Sequence, residues 1–184
     1  MMWKNSPAQF GHISVLVHWL VALAVYGLFA LGLWMVGLGY YDTWYHRAPE
    51  LHKSIGILVF ALMIFRLLWR FISPPPLPLE SYSNATRLGA WLAHLLLFVG
   101  LFSILISGYL ISTAEGQAIS VFGWFDIPAT LFGLQQQADI AGTVHLWLAW
   151  GLVIVSALHA LAALKHHFMD RDATLVRMLG RRPN

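Results

Sequence analysis

Four apolar stretches, each long enough to cross a lipid bilayer, constrain this chain more than any other feature. A membrane-spanning helix needs about 20 consecutive, mostly apolar residues. Stretches of that kind run over about 13–36, 52–71, 90–111 and 143–164. Only 10% of the 184 residues are charged and 59% are hydrophobic, whereas a soluble domain carries roughly 25% charged residues. So few charges cannot clothe a surface in water, and membrane lipid is the expected solvent. The predicted fold class is an all-α integral membrane protein. It is a bundle of four transmembrane helices forming a single domain over 1–184.

The basic residues predict its orientation. One side of the membrane receives Lys4, Arg66, Arg70, Arg87, Lys165, Arg171, Arg177, Arg181 and Arg182, and the other only Arg47 and Lys53. Loops rich in Lys and Arg stay in the cytoplasm, so both termini are expected there. The first stretch reads as a span and not as a signal peptide. It is long for an h-region, and it ends in Tyr40, Tyr41, Trp44 and Tyr45 where a cleavage site would need small residues. The run Ser73–Pro78 holds four prolines and must be extended. The connection from Ser112 to Gly142 carries the aromatic segment Val121–Pro128 and is expected to fold over the periplasmic mouth. No internal repeat or low-complexity segment is visible.

There is no cysteine. This excludes disulfides, thiolate-ligated zinc, iron–sulfur clusters and covalently attached c-type haem. No basic run suits a nucleic-acid partner. Nine histidines remain as metal ligands, and five of them, His18, His52, His94, His145 and His159, lie within or at the edge of the spans. Ionisable groups at such depths face the bundle interior or a cavity. His145 and His159 share the fourth span. Fourteen residues fall about 40° short of four turns and rise about 21 Å, so both rings face nearly one way, one near each surface.

Depth assigns the partners. His18 lies at the level of His159, and His52 at the level of His145. Two imidazoles at each of two levels is how a four-helix bundle holds haem between facing helices. Six-coordinate iron of this kind favours electron transfer over oxygen binding. The residues four positions after these histidines, Ala22, Gly56, Ala149 and Ala163, are all small. His94, followed at that spacing by Phe98, competes for the cytoplasmic level but is read as structural or quinone-adjacent. Arg66, fourteen residues after His52, either pairs with a haem propionate or snorkels to the interface; snorkelling is the reading for Arg70. His12, His46, His166 and His167 are expected to be solvated or to face headgroups.

The segments Val17-His18-Trp19-Leu20, Leu51-His52-Lys53-Ser54-Ile55-Gly56, Val144-His145-Leu146 and Leu158-His159-Ala160, with Lys165-His166-His167 and Asp172–Met178 behind them, resemble the bacterial cytochrome b561 family. The resemblance runs over nearly the whole chain. It extends more loosely to the cytochrome b subunits of formate dehydrogenase and nickel–iron hydrogenase. It implies a dihaem inner-membrane electron carrier with two haem b, ligated at His18, His52, His145 and His159, and with ubiquinone and the quinone pool as partners. A periplasmic electron donor or acceptor is expected. One member type oxidises superoxide and passes the electron to quinone; Arg47 and Lys53 could draw an anion to the periplasmic level. A membrane anchor for a redox partner is a further reading. A histidine-lined cation transporter fits less well, because all eight acids lie in loops or at ends and such carriers use intramembrane carboxylates.

Overall fold

The computed structural model describes residues 2–180; Arg181 and Arg182, counted above among the basic residues, lie outside them. Four long helices dominate: α1 (His12–Met35), α2 (Arg47–Ile72), α3 (Asn84–Ser112) and α4 (Gln137–Phe168). Between α3 and α4 stands a hairpin of β1 (Ile119–Val121) and β2 (Phe125–Ile127), and a short α5 (Thr174–Met178) closes the chain. The hairpin is antiparallel, with Ile119 opposite Ile127 and Val121 opposite Phe125. All four long helices are apolar enough to span a membrane. In hydrocarbon every backbone N–H and C=O must be satisfied internally, and a helix does this within one segment.

Local chemistry sets the ends. The Ser83 hydroxyl accepts the Thr86 N–H at 3.1 Å and caps α3. Helix α2 stops at Ser73, before Pro74 removes the helical option for the residue preceding it. Helix α4 starts six residues ahead of the expected span. Gln136 turns the chain in the left-handed region, and the buried Gln137 side chain donates to the Leu110 and Leu131 carbonyls at 3.0 Å each. At 32 residues α4 is about 48 Å long, so its ends project past a ~30 Å hydrocarbon core.

The bundle has two distinct ends. The terminal end gathers the N-terminal segment, the end of α2, the start of α3 and α5. Asn5 ties it: its backbone N–H donates to Ser73 Oγ at 2.8 Å, its side chain donates to the Ser73 carbonyl at 2.8 Å, and its Oδ1 accepts the Gly11 N–H at 2.8 Å. Helix α5 is held by Trp19 Nε1 donating to the Met178 carbonyl at 2.8 Å and by Arg177 donating to the Leu77 carbonyl at 2.9 Å. At the hairpin end, β1 lies on the start of α2. Buried Ser54 accepts the Phe122 N–H at 3.1 Å, and Val121 is fully buried. The long loop therefore does fold over one mouth of the bundle.

The core runs from the middle of the bundle toward its terminal end and comprises Val17, Val21, Val59, Met63, Leu101 and Leu152. Helix α1 packs chiefly on α2, and α3 on α4. Long side chains bridge α1 and α4: Tyr26 to Ser156 at 2.9 Å, and Phe29 edge-on to Trp150 at 5.0 Å. The outer faces are apolar and exposed, as Leu23, Leu96 and Leu161 illustrate. That arrangement suits lipid and not water.

Candidate cofactor-binding levels

A shared spacing of fourteen residues organises the interior. Helix α1 presents His18, Val25 and Gly32; α2 presents His52, Val59 and Arg66; α3 presents His94, Leu101 and Gly108; α4 presents His145, Leu152 and His159. The middle member of each set is the apolar core residue or packs against it. Two turns of helix separate each step, about 10 Å along the axis. The four helices thus build two polar levels about 21 Å apart with an apolar layer between them.

At the hairpin end the level consists of Gly32, His52, Gly108 and His145. The ring centres of His52 and His145 lie 6.2 Å apart. A first-row metal bonds imidazole nitrogen at about 2.0 Å, and that nitrogen is about 1.1 Å from its ring centre, so two axial imidazoles on one metal sit about 6.2 Å apart. The spacing would therefore suit a metal held by both imidazoles. The two glycines make this possible. A Cβ on Gly32 would stand 3.4 Å from His52 Cε1, and one on Gly108 only 3.1 Å from His145 Cε1. A Cβ on Gly56, one turn beyond His52, would meet nothing within 4 Å, which leaves room beside the ring. His145 Nδ1 lies 3.0 Å from the Ile104 carbonyl and 3.1 Å from Ser107 Oγ. A carbonyl only accepts, so Nδ1 carries the proton and Nε2 keeps a free lone pair for a metal.

The terminal-end level is more crowded. His18, Arg66, His94 and His159 lie within electrostatic reach of one another. The structure places His18 and His159 at one level, as their depths predict, but the ring in contact with His159 is that of His94, 5.1 Å away. His94 is the most exposed of the three imidazoles; His18 and His159 are half-buried. Arg66 is half-buried at this level, while Arg70, one turn on, is exposed.

Outside the levels, one histidine departs from its expected solvated role. His166 is half-buried, with Nδ1 2.8 Å from Asp170 and 3.1 Å from Asp172, and its ring lies 5.2 Å from that of Tyr82. Lys165 binds the same Asp170 at 2.7 Å. The cluster is an ionic knot at the turn that leads into α5. Asp172 also accepts the Thr174 N–H at 2.8 Å, and the Tyr82 and Thr174 hydroxyls are hydrogen-bonded. Sequence reasoning missed Gly32, Gly108 and Ser107. The signal for the glycines was present, since each lies fourteen residues after an intramembrane histidine.

Four lipid-facing helices with imidazoles at two interior depths, and no carboxylate between those depths among the described residues, suit a membrane cytochrome b of the electron-transfer class. The chain belongs to the prokaryotic cytochrome b561 family, whose model matches residues 9–181. It is 62% identical to "Cytochrome b561 homolog 2" of Escherichia coli (strain K12), over 98% of this chain and 96% of that one. It is 31% identical to "Probable superoxide oxidase CybB" of Yersinia pestis, over 93% of this chain and 96% of the relative. "Cytochrome b561 homolog 1" of E. coli (strain K12) is 28% identical, over 95% of this chain and 98% of the relative. The protein is a multi-pass membrane protein that binds haem b and transfers electrons.

Proposed function

We propose that the chain holds two haem b groups and carries electrons across the bacterial inner membrane, one haem at each polar level. His52 and His145 ligate the hairpin-level haem; His18 and His159 ligate the terminal-level haem. The spacing of the His52 and His145 rings carries this reading, and the fourteen-residue register extends it to the second level. When bound, each haem would supply a one-electron couple at its iron. The chain's part is to orient four imidazoles, to keep water out with the Val59, Leu101 and Leu152 layer, and to offer the Arg66 guanidinium to a propionate.

The distribution of basic residues supports a cytoplasmic terminal end. Electrons then pass between a donor or acceptor at the periplasmic hairpin end and the quinone pool. A second reading, superoxide oxidase feeding ubiquinone, is favoured by the name of the Yersinia relative. Electrostatics favour it less. The hairpin end carries Asp42, Glu50, Glu115, Asp126 and Asp139 against Arg47 and Lys53, a balance that repels an anion.

A pyridine haemochrome count and a reduced-minus-oxidised spectrum of the purified protein test the assignment. Two haems b per chain are expected, with one lost in His145→Ala and the other in His159→Ala. A colourless protein from haem-replete cells, or both haems retained in both variants, refutes it. Rapid reduction by superoxide, with the electrons recovered in quinone, separates the two readings.

A further inference from the structure

We propose that Ser107 positions the His145 imidazole and lowers the reduction potential of the hairpin-level haem. The proposal rests on the reading that His145 is a haem ligand. Ser107 is only 4% exposed and lies on α3, facing α4. Its hydroxyl proton is already committed, because Oγ donates to the Ile104 carbonyl one turn back at 2.9 Å. What Oγ turns toward His145 is a lone pair, 3.1 Å from Nδ1. The Nδ1–H is therefore shared between two acceptors, the Ser107 oxygen and the Ile104 carbonyl at 3.0 Å.

Two consequences follow. The first is geometric. The shared hydrogen bond fixes the ring's rotation and tautomer from one side, and the bare Cα of Gly108 lets α3 come close enough to do it. The second is electronic. Acceptors on Nδ1–H push electron density into the ring and make Nε2 a stronger donor. A stronger donor stabilises ferric over ferrous iron, so the potential falls. The opposite ligand has no such support, because His52 Nδ1 is buried without a hydrogen-bond partner. The two imidazoles of this level are thus unequally supported, and Ser107 is one of the residues that make them so.

The test is a spectroelectrochemical titration of the full-length protein carrying Ser107→Ala or Ser107→Thr, with His145→Ala used to assign which haem is which. In Ser107→Ala both haems should be retained. The hairpin-level haem should become easier to reduce, by about threefold in its equilibrium constant, or about 30 mV at 59 mV per tenfold. The other haem should not move. Threonine supplies a hydroxyl that makes the same back-bond within a helix and should keep the wild-type value. Unchanged potentials in Ser107→Ala overturn the proposal. So does a shift of equal size in Ser107→Thr, or loss of the haem in both variants, which would mark a packing role. If His145→Ala keeps both haems, the ligand assignment has failed instead, and that result is read from the haem count alone.

Discussion

The two polar levels are built from the same register but not from the same residues. At the hairpin end, two imidazoles face each other across the space that two glycines leave open, and no charged side chain joins them. At the terminal end, His18 and His94 occupy the positions that glycine holds at the other level and Arg66 stands where His52 does, so three imidazoles and a guanidinium share one layer. The difference shows how a bundle can encode two unlike sites with one spacing. Removing a side chain fixes a single pairing; adding polar ones allows several. The hairpin level offers a single pair of imidazoles. The terminal level has a permanent positive charge, which suits the acidic edge of a porphyrin and raises the affinity for an electron.

The sharpest way to break this comparison is to refill the hairpin level. A Cβ at Gly108 meets the His145 ring at 3.1 Å, tighter than ordinary contact, and a branched side chain cannot be accommodated without moving α3 or the ring. Gly108→Val should abolish the hairpin-level haem and leave the other, halving the haemochrome count. Gly108→Ala should weaken it by about tenfold or more, in line with the roughly 1–3 kcal/mol cost of overpacking a filled site. Gly32→Ala, with its Cβ at an ordinary 3.4 Å from His52, should retain both haems. Equal effects of Gly32→Ala and Gly108→Ala would dissolve the distinction between the two glycines.

The terminal level calls for a pair of variants. His18→Leu should remove the terminal-level haem, while His94→Leu should leave two haems with low-spin spectra. The reverse outcome would assign the second ligand to His94, whose ring already lies 5.1 Å from that of His159. A smaller effect is expected from Arg66→Gln. Both haems stay, but the lost positive charge stabilises the ferric form and lowers the terminal-level potential alone. If no potential moves, the guanidinium reaches past the haem to the interface, as a snorkelling arginine does.

Much of this was legible in the chain before folding. The four spans, the two depths on α4 and the pairing of His52 with His145 follow from helical rise and hydropathy, because lipid leaves the backbone so few options. Depth alone could not say which neighbours stand beside which. Placing His94 against His159 needs the relative rotation of α3 and α4, which depends on packing and not on register. Ser107 was invisible for a related reason: a serine in an apolar helix satisfies itself by back-bonding, so only its distance from His145 reveals a second task. The sequence leaves His166 solvated because its two carboxylate partners follow the end of α4, and their return toward it depends on a turn that no periodicity announces.

That turn offers the mildest perturbation. Asp170 lies outside the spans. The hydrogen bond from the Lys165 ammonium, aided by its charge and by His166, holds its carboxyl below the ordinary value of 3.8. A lowered folded-state value means the ion pair contributes fully above the ordinary carboxylate range and is lost as pH falls through the lowered value. Asp170 is an exposed partner in a surface pair, and such pairs contribute little, so the bundle itself should not respond. The expected response is confined to α5. At neutral pH, Asp170→Asn should speed hydrogen exchange of the Thr174–Met178 amides, while Asp172, Tyr82 and the Trp19–Met178 bond keep the segment docked. Haem count and potentials should match the wild type, because the knot touches neither level. Exchange identical to wild type would show that Lys165 and Asp170 add nothing to the docking of α5. A change in the terminal-level potential would show instead that the charges of this knot reach the terminal level.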